Sequence, residues 1–205
     1  MKKINFKPGT MLNPVPVVMV SCGEGRTKNI ITVAWTGTIN SHPPLVHVSI
    51  RKERYSHDII QRTGEFVINL CTENLAFATD YCGVKSGKDV DKFKIQKLTP
   101  AQCEKVSCPA IEESPVSLEC KVREIHEYPS HDMFVGEIVN VQVAEELLDG
   151  EGRIRLDKAR LVAYNHGEYF SLYRRPLGRF GYSVMKPKTK KRLAAKRRAK
   201  KIGSQ

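Results

Sequence analysis

The feature that most constrains this chain is a repeated one: short apolar runs, rich in Val and Ile, each closed off by Gly, Pro, Asn or Asp. Runs of that length and composition suit strands, and turn residues at both ends leave little room for long helices. Val15–Ser21 predicts a first strand, Gly23–Arg26 a turn, and Asn29–Trp35 its hairpin partner. A third strand is expected at Leu45–Ile50, after Pro43-Pro44. Between residues 117 and 144 apolar and polar residues alternate, with Leu118, Cys120 and Val122 on one arm and Val139, Val141 and Val143 on the other, around a turn near Pro129-Ser130. Leu161–Tyr164 and Tyr169–Leu172 flank Asn165-His166-Gly167-Glu168, which predicts a last hairpin.

Helical signals are fewer. Ser56 is placed to cap a short helix through Thr63, with Ile59 and Ile60 inward and Gly64 ending it, and a second helix is expected from Glu73 to Tyr81, before Gly83. The fold class is therefore mainly β (α+β): an antiparallel sheet with a few short helices, wrapped into a closed or nearly closed barrel that removes unpaired edges. A chain of 205 residues holds one such domain with a substantial core, expected over residues 1–185, and a tail over 186–205. Hydrophobic residues at 40% and charged ones at 27% exclude the disordered and collagenous classes. No apolar run approaches the roughly twenty residues of a membrane span, and none follows Met1–Phe6, so a cytoplasmic protein is expected. The cysteines at 22, 71, 82, 103, 108 and 120 read as free thiols; Cys103 and Cys108 are too far apart in sequence for a Cys-x-x-Cys site, and no metal is expected.

The net charge of +12 falls to +2 once the ten basic residues of 186–201 are set aside. That run contains no acidic residue and no aromatic one. It reads either as a solvated extension or as an arm that pairs with phosphates of nucleic acid or an anionic surface, with strong salt dependence. Recognition of particular bases is not encoded, since stacking partners are missing.

Several segments in order carry a family pattern: Asn29-Ile30-Ile31-Thr32-Val33-Ala34-Trp35-Thr36-Gly37, then Ser49-Ile50-Arg51-Lys52-Glu53-Arg54-Tyr55-Ser56, Asp91-Lys92-Phe93, His131-Asp132-Met133-Phe134-Val135-Gly136-Glu137-Ile138, and Gly178-Arg179-Phe180-Gly181. Over nearly residues 10 to 185 the chain resembles the flavin reductase-like family, in its flavoredoxin branch. The resemblance implies a split β-barrel that binds FMN and forms a homodimer with the flavin near the interface. A phosphate calls for cations and short donors at a rigid place, and the resemblance assigns that role to Arg51, Lys52, Arg54 and Ser56, with Asn29 and Ser49 in the same segments and Lys92 as a further cation. The flavin ring calls for a flat apolar wall and main-chain partners, which Thr32, Val33, Ala34, Trp35 and Thr36 are expected to supply. His131 and Tyr164 stand where this branch places further flavin contacts, donated across the dimer interface.

FMN would carry the chemistry, so no catalytic side chain is named. The implied reaction is electron uptake from NADH, NADPH or another reduced carrier and release to a flavin, ferric or protein acceptor. A nicotinamide would bind over the flavin, because Gly23 and Gly25 are followed by Lys28 where a dinucleotide fingerprint needs glycine. Two other classes stay open: an FMN electron-transfer protein without nicotinamide turnover, and a nucleic-acid-binding protein acting through its tail. Related split barrels that take pyridoxamine phosphate, haem or a deazaflavin are rivals for the ligand, and residues 29–56 favour FMN among them.

Overall fold

The computed structural model describes residues 1–172, 176–178, 180–187, 189 and 192. The chain divides into two units, Met1–Leu172 and Tyr173–Gln205, earlier than the boundary at 185 that charge suggests. Most of the basic run 186–201, and Arg179 of the Gly-Arg-Phe-Gly segment, lie outside the described residues. Of the second unit, a 3-10 turn at Tyr182–Val184 is described.

The first unit is built from strands β1 (Val15–Pro16), β2 (Val18–Cys22), β3 (Asn29–Val33), β4 (Thr36–Ser41), β5 (Pro44–Arg51), β6 (Glu65–Leu70), β7 (Pro100–Ala101), β8 (Ala110–Ile111), β9 (Val116–Glu127), β10 (His131–Val143), β11 (Val162–Asn165) and β12 (Glu168–Ser171). Three helices interrupt them: α1 (Tyr55–Thr63), α2 (Ala76–Val84) and α3 (Lys92–Ile95). Seven strands pair antiparallel in the order β3-β2-β6-β9-β10-β5-β4, while β1, β11 and β12 form a small second sheet and β7 pairs with β8. The large sheet curls on itself, and the Ser49 N–H donates to the Trp35 carbonyl at 2.9 Å, extending the β4–β5 ladder back toward the end of β3.

Alternation explains the curl. Val18, Val20 and Cys22 of β2, Ile31 and Val33 of β3, Val46, Val48 and Ile50 of β5, and Phe66 and Ile68 of β6 point into one core with Cys120, Phe134 and the α1 residues Ile59 and Ile60. Phe66 and Phe134 are fully buried, each worth ~1.5–3 kcal/mol of transfer free energy. The opposite faces of β2 and β3 are buried too: Met19 and Ile30 pack with Leu75, Ala78 and Cys82 under α2, which is why these strands read as near-continuous apolar runs. Among the described residues no helix is long and apolar enough to cross a membrane.

Several boundaries differ from the sequence expectations. The first strand is two: β1 pairs with β11, whereas β2 pairs with β3 and β6. The second strand stops at Val33, and Ala34-Trp35 turn the chain into β4, a strand whose largely exposed residues gave no apolar signal. Arg54, not Ser56, is the N-cap of α1; Gly64, at φ 69°, does end it, with its N–H donating to the Ile60 carbonyl at 2.9 Å. The second helix begins as a 3-10 turn at Glu73–Leu75 and runs through Gly83 to Val84. The long hairpin forms with its turn as expected, but the register shifts between Ile138 and Asn140, so Val139 leaves the barrel face and packs outside with Val67, Val106 and Cys108.

Candidate functional site

Two adjoining clefts lie over the split between β3 and β5. The first, about 310 Å³, is lined by Ile31–Trp35 on one side and Ser49–Arg51 on the other, with Arg54, His131, Tyr164 and Tyr169 around its rim. The second, about 370 Å³, shares Ile31, Arg51 and Arg54 with it and adds Asn29, Ser56, Lys92 and the loop Lys85-Ser86-Gly87. The aromatic groups gather in the first cleft, the two arginines stand where the clefts meet, and the second adds Lys92 with short polar side chains.

The strand period places these residues. With Val46, Val48 and Ile50 inside the barrel, the intervening Ser49 and the next residue but one, Arg51, face outward into the clefts. The short connection after β5 then delivers Arg54 and Ser56 at the start of α1. Arg54 donates to the Gly83 carbonyl, which ties the start of α1 to the end of α2. The Asn29 amide donates to the Ser56 hydroxyl at 2.8 Å, both groups being buried. Gly87 is packed so closely against Asn29 and Tyr55 that an added Cβ would stand 2.7 Å from the Tyr55 ring, so this loop position needs a residue without a side chain.

Lys92 enters from the first turn of α3, with Asp91 capping that helix by accepting from the Lys94 N–H at 3.1 Å. Its side chain is buried, and its ammonium donates to the carbonyls of Ile30 at 2.6 Å and Cys82 at 2.9 Å rather than to any acid. Burial pulls it down to about 8, so this ammonium gives up its proton far more readily than an exposed lysine. An anion beside it would restore the missing counter-charge.

In the aromatic cleft the Trp35 and His131 rings stand 6.0 Å apart, and Tyr164 meets Tyr169 edge-on at 5.7 Å. Tyr169 donates to Asp80 at 3.2 Å, and burial together with that carboxylate pushes its phenol well above the ordinary range. Thr32 is held by a bond from its hydroxyl to the Thr79 carbonyl. Beyond Trp35 the cleft continues into a cavity of about 500 Å³ lined by Met11, Leu12, Thr36, His47, Tyr164 and His166 among others. His47 is the titratable group there that burial pushes down, and its Nδ1 is buried without a hydrogen-bond partner.

Of the fourteen residues expected from sequence, twelve line the two clefts and Thr36 lines the adjoining cavity. Lys52 is the exception. Its ammonium turns away to Asp132 at 3.2 Å and Glu127 at 3.4 Å, because successive residues after β5 point to opposite sides and Arg51 takes the cleft side. His131 and Tyr164, assigned by the resemblance to a second copy, already stand with Trp35 within one chain, since β10 pairs His131 with Arg51 of β5. Sequence reading missed Tyr169, Asp80, Ser86 and Gly87. Tyr169 was findable, as the residue directly across the last hairpin from Tyr164; the others belong to segments with only turn or helix signals.

A curled antiparallel sheet with its cleft at the split defines the split-barrel flavoprotein class. The chain belongs to the family described as "Flavin reductase like domain", which it matches over residues 10–173. A flavoredoxin of Desulfovibrio vulgaris (Miyazaki F) superposes with a TM-score of 0.83 at 30% identity, covering 89% of this chain and all of that one. An FMN-binding protein from Thermus thermophilus, solved with bound 1-cyclohex-2-enone, superposes with a TM-score of 0.73 at 25% identity over 87% of this chain and 98% of its own. An uncharacterised protein of Archaeoglobus fulgidus is 34% identical over 140 residues, 68% of this chain and 78% of its own length.

Proposed function

We propose that this chain binds FMN in the joined clefts and works as an oxidoreductase, taking electrons from NADH, NADPH or another reduced carrier and passing them to a flavin, ferric or protein acceptor. The observation that carries this reading is the division of one continuous cleft into a cationic end and an aromatic end, which is the charge layout of a flavin mononucleotide. Arg51, Arg54 and Lys92 would hold the phosphate, with Asn29 and Ser56 as short donors beside it and the α1 N-terminus adding its dipole. Val33, Ala34 and Trp35, with Tyr164 and Tyr169, would wall the ring, and Ser49 and Thr32 flank its polar edge. Bound FMN supplies two-electron redox chemistry that no side chain offers. The protein's share is to fix the ring, keep one side open to a reductant, and exclude water from the other.

The likeness to an FMN-binding protein that holds an enone supports FMN over pyridoxamine phosphate, haem or a deazaflavin, and suggests the cavity beside Trp35 and His47 as the place where a small reactant sits. A homodimer suits the half-exposed Trp35 and the open edge strand β4, and the free thiols suit a cytoplasmic, reducing setting. A second reading, an FMN electron carrier without nicotinamide turnover, is favoured by the same exposure of Trp35, which would bring a partner protein close to the ring.

An absorption spectrum of the purified protein, followed by anaerobic NADH and NADPH, tests both. A flavin band that bleaches with either nicotinamide establishes the reductase; bleaching with dithionite alone establishes the carrier. No flavin uptake after incubation with FMN removes both.

A further inference from the structure

Behind the clefts lies a group of titratable side chains that neither cleft uses. His57, buried in the first turn of α1, places Nε2 2.8 Å from Asp132 Oδ2 and Nδ1 2.9 Å from Asp58 Oδ1. Asp132 is buried on β10, and its other oxygen takes no hydrogen bond but faces the Lys52 ammonium at 3.2 Å. Lys52 also reaches Glu127 on β9 at 3.4 Å. The His57 ring rests edge-on against Phe134, with centroids 5.3 Å apart.

The position of this pair matters more than its charge. His57 follows Ser56 on the helix capped by Arg54, and Arg54, Tyr55 and Ser56 all line the cationic cleft. Asp132 follows His131, which stands against Trp35 in the aromatic cleft. No backbone ladder joins α1 to β10, since β10 pairs with β5 and β9. The β5–β10 ladder ties Arg51 to His131, and the His57–Asp132 hydrogen bond adds a second tie, from the α1 side of the cationic end to β10.

We propose that His57 and Asp132 are positioning residues that set the spacing between the phosphate end and the ring end of the cleft, with Lys52 holding Asp132 in place. The inference rests on the FMN reading of the site. Its physical content is a chelate effect: two ends of one ligand bind together only if their subsites keep the right separation, while either end alone is indifferent to it. Burial of Asp132 would push its carboxyl up, but the His57 hydrogen bond and the Lys52 ammonium outweigh that and hold it below the usual carboxylate range, so it is an ionised acceptor at neutral pH.

The test is a double-mutant cycle on the apoprotein, with FMN and riboflavin titrated by quenching of flavin fluorescence. Asp132→Asn is expected to weaken FMN about tenfold, the order of one charge-assisted hydrogen bond, and to leave riboflavin within about twofold. In an Arg54→Ala background the same change is expected to cost clearly less than about tenfold, because one of the phosphate contacts whose spacing it sets is already removed. His57→Gln, which keeps an amide donor toward Asp132, is expected to fall between wild type and Asp132→Asn, and carries the same comparison if Asp132→Asn does not fold. Equal weakening of FMN and riboflavin, additivity with Arg54→Ala, or no change in FMN affinity overturns the positioning role. A wild-type protein that binds neither flavin overturns the site reading and this inference together, which separates the two failures.

Discussion

At the cationic end of the cleft, Asn29, Ser56 and Lys92 are buried and already hydrogen-bonded, and Arg54 is tied to the Gly83 carbonyl. At the aromatic end Trp35 is 51% exposed, sits in the break between β3 and β4, and touches His131 through ring contact rather than a hydrogen bond. The cationic end is preorganised by the fold, whereas the aromatic end is a wall with one open side. A ligand anchored by its phosphate and left accessible at its ring fits that contrast, since an electron-transfer site must hold its cofactor and still admit a reactant.

The largest effect is expected at the preorganised end. Arg54→Ala removes a cation from both clefts and should weaken FMN about 10- to 100-fold, the ~1.5–3 kcal/mol range of a charged hydrogen bond, while riboflavin binding barely moves. Equilibrium titration of both flavins checks this, and equal losses would mean that Arg54 shapes the whole cleft rather than its phosphate end. Trp35→Ala should act the other way round. Loss of a stacking wall worth ~0.5–1.5 kcal/mol predicts that FMN and riboflavin weaken alike, by about two- to tenfold, and that the absorption maximum of bound FMN shifts. If FMN alone suffered, the assignment of the two ends would be reversed.

The smallest effect is a pH dependence. Because burial lowers Lys92 to about 8, the apoprotein loses this cation as pH rises through that value, and FMN binding must then restore the proton. FMN affinity is expected to fall several-fold between pH 7.5 and about 9.5, and Lys92→Met should flatten that decline while lowering affinity at neutral pH. The sign for folding is opposite. A base whose folded value is depressed binds fewer protons folded than unfolded between about 8 and 10.5, so its contribution to apoprotein stability rises across that window. A titration with riboflavin that declined in parallel would assign the pH dependence to some other group.

Much of this was legible without coordinates. The last hairpin, the long 117–144 hairpin and the inward pairs of α1 followed from apolar period and turn residues, because those signals are local. The candidate residues of 29–36 and 49–56 were picked out by the family pattern they carry, and strand alternation alone would have singled out only some of them, since Val33 points into the core and Arg54 and Ser56 belong to the start of α1. Lys52 was misplaced: it has the right chemistry, but the side to which it turns is set by the path of the chain after β5. The boundary at Trp35 was missed because β4 has no buried stripe to announce it.

By itself, then, the sequence determined an antiparallel barrel and most of its inward residues, and its family pattern pointed to the cations and aromatics that a flavin phosphate and ring require. Those properties depend on side-chain type and on spacing within one segment. The tertiary structure alone decided that Lys92 is buried against two carbonyls, that Tyr169 and the Gly87 loop close the clefts, and that His57 meets Asp132 across 75 residues of chain. Contacts between distant segments depend on how the sheet curls and where its register slips, and one bulge at Val139 is enough to change which residues face inward.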